Sequence, residues 1–179
     1  MTYESKTEWR AAVLKNLAQG GPACQHAAKY LADNDIDIGF AEQSTGARWT
    51  MDGRIEVSAK HYSLETDPAN PWLLGAVAHE AAHLEQGLGL ALSVAGEVAA
   101  WRVEYLVREE LGAPIKDPHW KVVAQTPAQP TRADLRKARA EVLEKTGYGY
   151  LIWVLPLRAS RLIGAVVGGA RKLIARKRR

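Results

Sequence analysis

The spacing of hydrophobic residues along the chain predicts five helices and a small sheet. Apolar positions recur every three or four residues in the helical segments, and Gly, Pro, Asn and Asp separate these segments. Short stretches that alternate apolar with polar residues predict strands, and two of them flank the tight turn Asp52-Gly53. The predicted helices span residues 5–18, 22–33, 71–86, 93–111 and 131–146, and the predicted strands span residues 36–40, 48–51 and 54–58. The pattern indicates an α+β fold that is mainly helical, with a small antiparallel sheet.

The helix predicted over residues 71–86 carries two different faces. At about 100° per residue, one face is a continuous apolar stripe and the other collects aromatic, small and imidazole side chains. The stripe consists of Leu74, Val77, Ala81, Leu84 and Leu88, and the second face of Trp72, Ala76, His79, His83 and Gln86. Because the second face lacks the charges of a solvent-facing surface, we expect this helix to be buried on both sides.

The same helix contains the segment His79-Glu80-Ala81-Ala82-His83, an HExxH pattern. Histidines four residues apart project from nearly the same side of a helix, so both imidazoles can reach one metal ion. Zn²⁺ accepts neutral imidazole ligands in a tetrahedral arrangement, and a catalytic site keeps one position for water. Glu80 then lies beside the ion, where it can take a proton from that water.

A third ligand is expected from the next helix, which offers Glu97 and Glu104 on one side, with Trp101 between them. Glu104 has Arg108 four residues on, so an exposed ion pair would explain it without a metal. Glu97 has no cation at that spacing, which favours Glu97 as the ligand and leaves Glu104 as the alternative. Only 14 positions separate His83 from Glu97, and Gly87 and Gly89 allow the chain to reverse there.

With these residues in view, the sequence resembles the gluzincin zinc metallopeptidases, and in scale the minimal members called minigluzincins. The likeness covers about residues 47–108 and rests on HExxH followed by a helix reading Gly96-Glu97-Val98-Ala99. It implies a peptidase that cleaves a peptide or protein substrate with water activated by Glu80. It also implies that an edge strand holds the substrate backbone, a role for which residues 54–58 are the candidate.

Composition and charge limit where such a protein works. The single thiol, Cys24, has no partner for a disulfide, and the amino terminus lacks the basic-then-apolar run of a secretory signal. We therefore expect a cytoplasmic protein. Six of its 24 Lys and Arg residues lie in the last nine positions, so the remaining chain, with 18 basic and 20 acidic residues, carries a net charge of −2.

We expect two parts in the chain. Residues 1–147 form a metallohydrolase domain, and residues 148–179 form a hydrophobic segment that ends in the basic cluster. Pro156, Arg158 and Arg161 interrupt the apolar run, which argues against a spanning helix. Two alternatives stay open: a helix packed on the domain, or peripheral contact with an anionic membrane. The body shows no reading motif for nucleic acid, so nucleic-acid binding is disfavoured.

A different class of function fits the same residues. The chain could keep the HExxH helix pair as a metal-binding scaffold or membrane-surface binding protein and catalyse no reaction. In that case the ion would stabilise the fold, so a chelator would unfold the domain and Glu80→Gln would change no measurable reaction.

Overall fold

The fold consists of seven helices and three strands in the computed structural model, which describes residues 3–146 and 155–158. A mainly helical α+β fold, as predicted, is confirmed. The helices are α1 (Lys6–Ala18), α2 (Pro22–Asp33), α3 (Pro71–Gln86), α4 (Leu88–Ala91), α5 (Val94–Glu110), α6 (Pro118–Ala124) and α7 (Arg132–Thr146), and the strands are β1 (Ile38–Ala41), β2 (Ala47–Trp49) and β3 (Ile55–Ser58).

The sheet is mixed, whereas the sequence predicted an antiparallel one. Strand β2 pairs with β3 in an antiparallel hairpin, as predicted, and Gly53 adopts a φ of 86° in its turn. Strand β1 pairs with the other edge of β3 in parallel, with Ile38 opposite Ile55. The chain reverses twice between β1 and β3, once before β2 and once after it, and two reversals give both strands the same direction. Because β1 and β2 each pair with a different edge of β3, the strand order is β1-β3-β2.

The central position of β3 corrects a second expectation. Residues 54–58 were expected to form the edge strand beside the metal, but β3 has a neighbour on each side. Strand β2 lies at the edge of the sheet and packs against α3. The free edge near the histidines is therefore that of β2.

The main core lies between α1, α2, the sheet and one face of α3. Four residues of the apolar stripe predicted on α3, Leu74, Val77, Ala81 and Leu84, are buried in it, with Leu74 and Val77 fully inaccessible to solvent. The fifth, Leu88, lies on α4 and outside this core. Each such side chain contributes about 1.5–3 kcal/mol by leaving water. The largest buried members of this core are Trp9, Leu17, Leu31, Ile38, Ile55, Leu73 and Leu74.

A smaller group of buried residues, here called the second cluster, packs the other end of the molecule. It joins the first half of α5 to α6 and α7, and its members are Val94, Val98, Val123, Leu135, Ala138 and Val142. Helix α6 was predicted as a loop, because seven residues are too few to show a helical period. Its start is nevertheless encoded locally, since Asp117 accepts a hydrogen bond from the backbone of His119 and Pro118 occupies the first turn.

The described chain ends with residues 155–158, which pack on the second cluster through Leu155 and Leu157. The remainder of the segment predicted over residues 148–179 lies outside the described residues, as does the predicted boundary at residue 147. Among the residues that the structure describes, no helix has the length and apolar content needed to cross a membrane.

Candidate metal centre

Helix α3 brings the two histidines of the HExxH pattern to one point. Its start is fixed by Asn70, whose side chain accepts hydrogen bonds from the backbone of Trp72 and Leu73, and it ends at Gly87 with a φ of 70°. The Nε2 atoms of His79 and His83 lie 3.1 Å apart. Both residues are buried, at 6% and 3% exposure, so the expected cover on the second face of the helix is confirmed at the histidines. It is wrong at Trp72, at the start of the same face, which is 55% exposed.

Glu97 completes a group of three potential ligands. It lies in the first turn of α5, and its carboxylate oxygens are 3.5 Å from Nε2 of His83 and 3.9 Å from Nε2 of His79. One ligand atom from each of the three residues lies within 4.8 Å of the others. The structure thus contains a His-His-Glu group that could hold a metal ion, built from two helices.

The short connection between α3 and α5 can bring Glu97 to the histidines because its backbone segments pack closely against each other. After Gly87 the chain forms the single turn α4, and the hydroxyl of Ser93 donates a hydrogen bond to the carbonyl of Leu90. The same hydroxyl accepts a hydrogen bond from the backbone of Gly96, which caps α5. A Cβ at Gly96 would stand 2.0 Å from the carbonyl oxygen of Leu90, so only glycine permits this approach. Fourteen positions are therefore enough to bring Glu97 to the histidines.

Glu104, the alternative ligand, contacts the opposite nitrogen of His79. Its Oε2 is 3.3 Å from Nδ1 of His79, an ion-pair distance without the alignment of a hydrogen bond. The side chain is only 14% exposed, so the exposed ion pair with Arg108 is not what explains it; the Arg108 guanidinium lies 4.5 Å from the ring centre of Trp72. A carboxylate at the second ring nitrogen is the usual way to orient a ligating histidine.

Glu80 lies beside the histidines and lines one cleft together with them. Its side chain is 8% exposed, and Oε2 accepts a hydrogen bond of 2.9 Å from the backbone N–H of Trp49 in β2. Burial raises the pKa of this carboxyl, against the lowering effect of His79, His83 and the Trp49 N–H. A carboxyl with a raised pKa that faces a cleft is suited to accept a proton and release it again.

The electrostatics of the site favour a cation. Burial alone would lower the pKa of His79, but the contact with Glu104 and the charges of Glu80, Glu104 and Glu97 raise this pKa to about 9. Burial would likewise raise the pKa of Glu97, yet the hydrogen bond and charge of His83 and the charge of His79 lower it. Three carboxylates thus surround two imidazoles, and either protons or a metal ion can balance them.

The donor geometry fits a tetrahedral metal ion. Bond lengths of about 2.0–2.2 Å place neighbouring ligand atoms about 3.3–3.5 Å apart, close to the observed separations. Two imidazole nitrogens that face each other at 3.1 Å can share only one proton, whereas one ion can bind both. Nδ1 of His79 and Nδ1 of His83 are both buried without a hydrogen-bond partner among the described residues. They differ in that Nδ1 of His79 has a carboxylate at ion-pair distance, 3.3 Å from Oε2 of Glu104.

The cleft beside this group has a volume of about 380 Å³, and its wall exposes more apolar than polar surface. Trp101 forms part of the wall, with its ring centre 4.6 Å from that of His79 and stacked on Trp120 at 3.9 Å. The sequence did not predict most of the residues that line the cleft, because they come from elements far apart in the chain. The other described residues that line the cleft are Gln43, Ser44, Thr45, Ala47, Arg48, Trp49, Leu92, Val142 and Leu155.

Comparison of this chain with protein-family models, with curated proteins and with solved structures found no match. Any assignment of function therefore rests on the geometry of the site.

Proposed function

We propose that this protein is a zinc-dependent hydrolase, and more specifically a peptidase of gluzincin type. The observation that carries the proposal is the meeting of His79, His83 and Glu97 at one point, with Glu80 in the adjoining cleft. Two imidazoles and one carboxylate are a donor set typical of catalytic zinc, which keeps a fourth position open. When bound, the ion would supply a Lewis acid that polarises a substrate carbonyl and acidifies water.

The remaining work falls to residues of the chain. Glu80 is the proton carrier: its carboxylate takes a proton from the attacking water and delivers it to the leaving amine. The backbone N–H of Trp49 holds this carboxylate in place through its 2.9 Å hydrogen bond. Glu104 positions His79 through the ring nitrogen that faces away from the ion.

A peptide substrate is favoured by the place of β2. This strand is at the edge of the sheet, and its residues Ala47, Arg48 and Trp49 line the cleft. An extended peptide can add to such an edge through main-chain groups other than the Trp49 N–H, which is bonded to Glu80. In this proposal β2 has the role that the sequence assigned to residues 54–58.

The test combines metal content with turnover. We expect the purified protein, stripped with a chelator and reloaded, to hold one equivalent of zinc and to cleave members of an internally quenched peptide library. His79→Ala and Glu97→Ala should no longer retain zinc through dialysis, although titration should still detect weak binding by the two donors that remain. Zinc kept by Glu97→Ala but lost by Glu104→Ala would transfer the ligand role to Glu104, and zinc absent from the unaltered protein would refute the proposal.

Glu80→Gln separates catalysis from metal binding. We expect this variant to keep its zinc and lose activity by about 10²–10⁴-fold, the usual contribution of a general acid-base group. Glu85→Gln is the matched control, because Glu85 lies on the same helix but is exposed and pairs with His26; it should leave activity unchanged.

A metal-binding scaffold is the second candidate, favoured by the way the three potential ligands join α3 to α5. A structural ion would clamp these helices, and its removal would unfold the domain. Unfolding by a chelator, with no peptide cleaved and no effect of Glu80→Gln, would establish this role in place of the hydrolase.

A further inference from the structure

The described residues 155–158, here called the strap, lie across the beginning of α5. The backbone N–H of Val94 donates a 2.9 Å hydrogen bond to the carbonyl of Pro156, and the N–H of Ala95 donates a 3.1 Å hydrogen bond to the carbonyl of Leu157. These two residues open α5, so the strap binds the helix by its first turn.

The first-turn N–H groups of a helix have no partners within the helix itself. In α5 the side chain of Ser93 accepts the hydrogen bond of Gly96, and the strap accepts those of Val94 and Ala95. Glu97 is the next residue, and its own N–H is the first to bond within the helix, to the carbonyl of Ser93. The strap therefore fixes the turn that carries the carboxylate of the candidate metal centre.

Side chains anchor the strap on both sides. Leu155 and Leu157 pack against the second cluster, and Leu155 also lines the cleft beside the histidines. Nη2 of Arg158 donates a 2.6 Å hydrogen bond to the carbonyl of Pro130, in the loop before α7. Removing the Arg158 side chain thus loosens the strap without altering any candidate ligand.

We propose that the strap is a positioning element for Glu97, so that a segment remote in sequence from the HExxH helix determines how tightly the site holds its metal. This inference rests on the proposed function, because it assigns Glu97 to the ion. The histidines need no such support, since a single helical turn spaces them. Glu97 needs it because its turn is held from outside the helix.

The first test measures the zinc affinity of Arg158→Ala and Leu157→Ala in the full chain, alone and combined with Glu97→Ala. We expect each strap variant to bind zinc about 10–100-fold more weakly, the range typical of groups that orient a ligand. In the Glu97→Ala background the same substitutions should have no further effect. Arg136→Ala, an exposed arginine on α7, is the control and should bind zinc like the unaltered protein.

Each result separates the two proposals. Unaltered affinity in both strap variants, or an equal loss with and without Glu97, would refute the strap proposal and leave the zinc hydrolase standing. Absence of zinc from the unaltered protein would refute both.

A second measurement needs no substitution. If the strap and the ion act on the same turn, zinc must strengthen the hydrogen bonds of the strap by the same coupling. We expect zinc loading to slow amide hydrogen exchange at Val94 and Ala95, with little change at Val13 in the distant helix α1. Equal exchange rates at Val94 and Ala95 with and without zinc would contradict the proposal.

Discussion

The two histidines and Glu97 belong to regions of the molecule that are held in different ways. His79 and His83 lie on α3, whose other face is packed into the main core beneath the sheet and α2. Glu97 lies at the start of α5, where the smaller second cluster and the strap provide the support. One helical turn fixes the imidazoles relative to each other, whereas a connection of close backbone contacts fixes the carboxylate relative to them.

This difference separates fold stability from metal affinity. Substitutions in the main core should lower the free energy of unfolding while leaving the folded site unchanged. Substitutions around the first turn of α5 should move Glu97 and weaken metal binding, even where they cost little stability.

Gly96→Ala should have the largest effect on stability and zinc binding, because it disrupts the close packing of the connection between α3 and α5. The added Cβ would stand 2.0 Å from the carbonyl oxygen of Leu90, a backbone atom that cannot turn aside. We expect a loss of at least about 3 kcal/mol in the free energy of unfolding, together with loss of zinc binding. Gly46→Ala is the control, since a Cβ there meets nothing within 4 Å. Urea unfolding and zinc titration of both variants check this, and a stable, zinc-binding Gly96→Ala would contradict the role given to the connection.

Leu74→Ala and Val98→Ala compare the two regions directly. Leu74 is fully buried in the main core, and its truncation should cost about 2–5 kcal/mol of stability. Val98, 2% exposed in the second cluster and adjacent to Glu97, should cost about 1–3 kcal/mol. Zinc affinity, measured where both variants are folded, should show the opposite order. A larger loss of affinity in Leu74→Ala would refute the separation of the two regions.

What the sequence predicted well was encoded locally. The predicted helix starts agree with the structure to within about one residue, where the side chains of Ser5, Asn70 and Ser93 cap α1, α3 and α5. The histidine pair followed from the spacing within one helix. What it missed depends on parts of the chain that are distant in sequence. The parallel pairing of β1 with β3 is one case, and the strap on α5 is another. The sequence favoured Glu97 over Glu104, but the way in which Glu97 reaches the histidines depends on the path of the connection, which no periodicity reports.

Glu104→Gln tests the smaller contribution of the carboxylate behind His79. The substitution keeps the shape of the side chain but removes the charge 3.3 Å from Nδ1 of His79. We expect zinc affinity to fall by about 10–100-fold, with the ion still bound at saturating concentration. Glu109 is exposed on the same helix, so Glu109→Gln is the control and should leave zinc affinity unchanged. Complete loss of zinc at saturation would instead identify Glu104 as a ligand.

The smallest expected effect is the change in zinc affinity over one unit of pH, which follows from the pKa of about 9 for His79 in the metal-free protein. Below this pKa the ion must displace a proton, so affinity should fall by about tenfold for each unit of pH below 9 and level off above it. The metal-free protein should behave oppositely. The unfolded pKa is about 6.5, so the stability from charged His79 is fully present below that pH and is lost as pH rises to about 9.

Competition titrations at pH 7, 8 and 9, with thermal unfolding in chelator at the same values, measure both trends at once. Glu104→Gln sharpens the test, because removing a charge that raises the pKa of His79 should move the levelling point to lower pH. A zinc affinity that stays flat between pH 7 and 9 would mean that His79 is neutral before the ion arrives. In that case the carboxylates around His79 would orient its ring without holding a proton on it. The difference between α3 and α5 would be unaffected, because it depends on packing and not on the charge of His79.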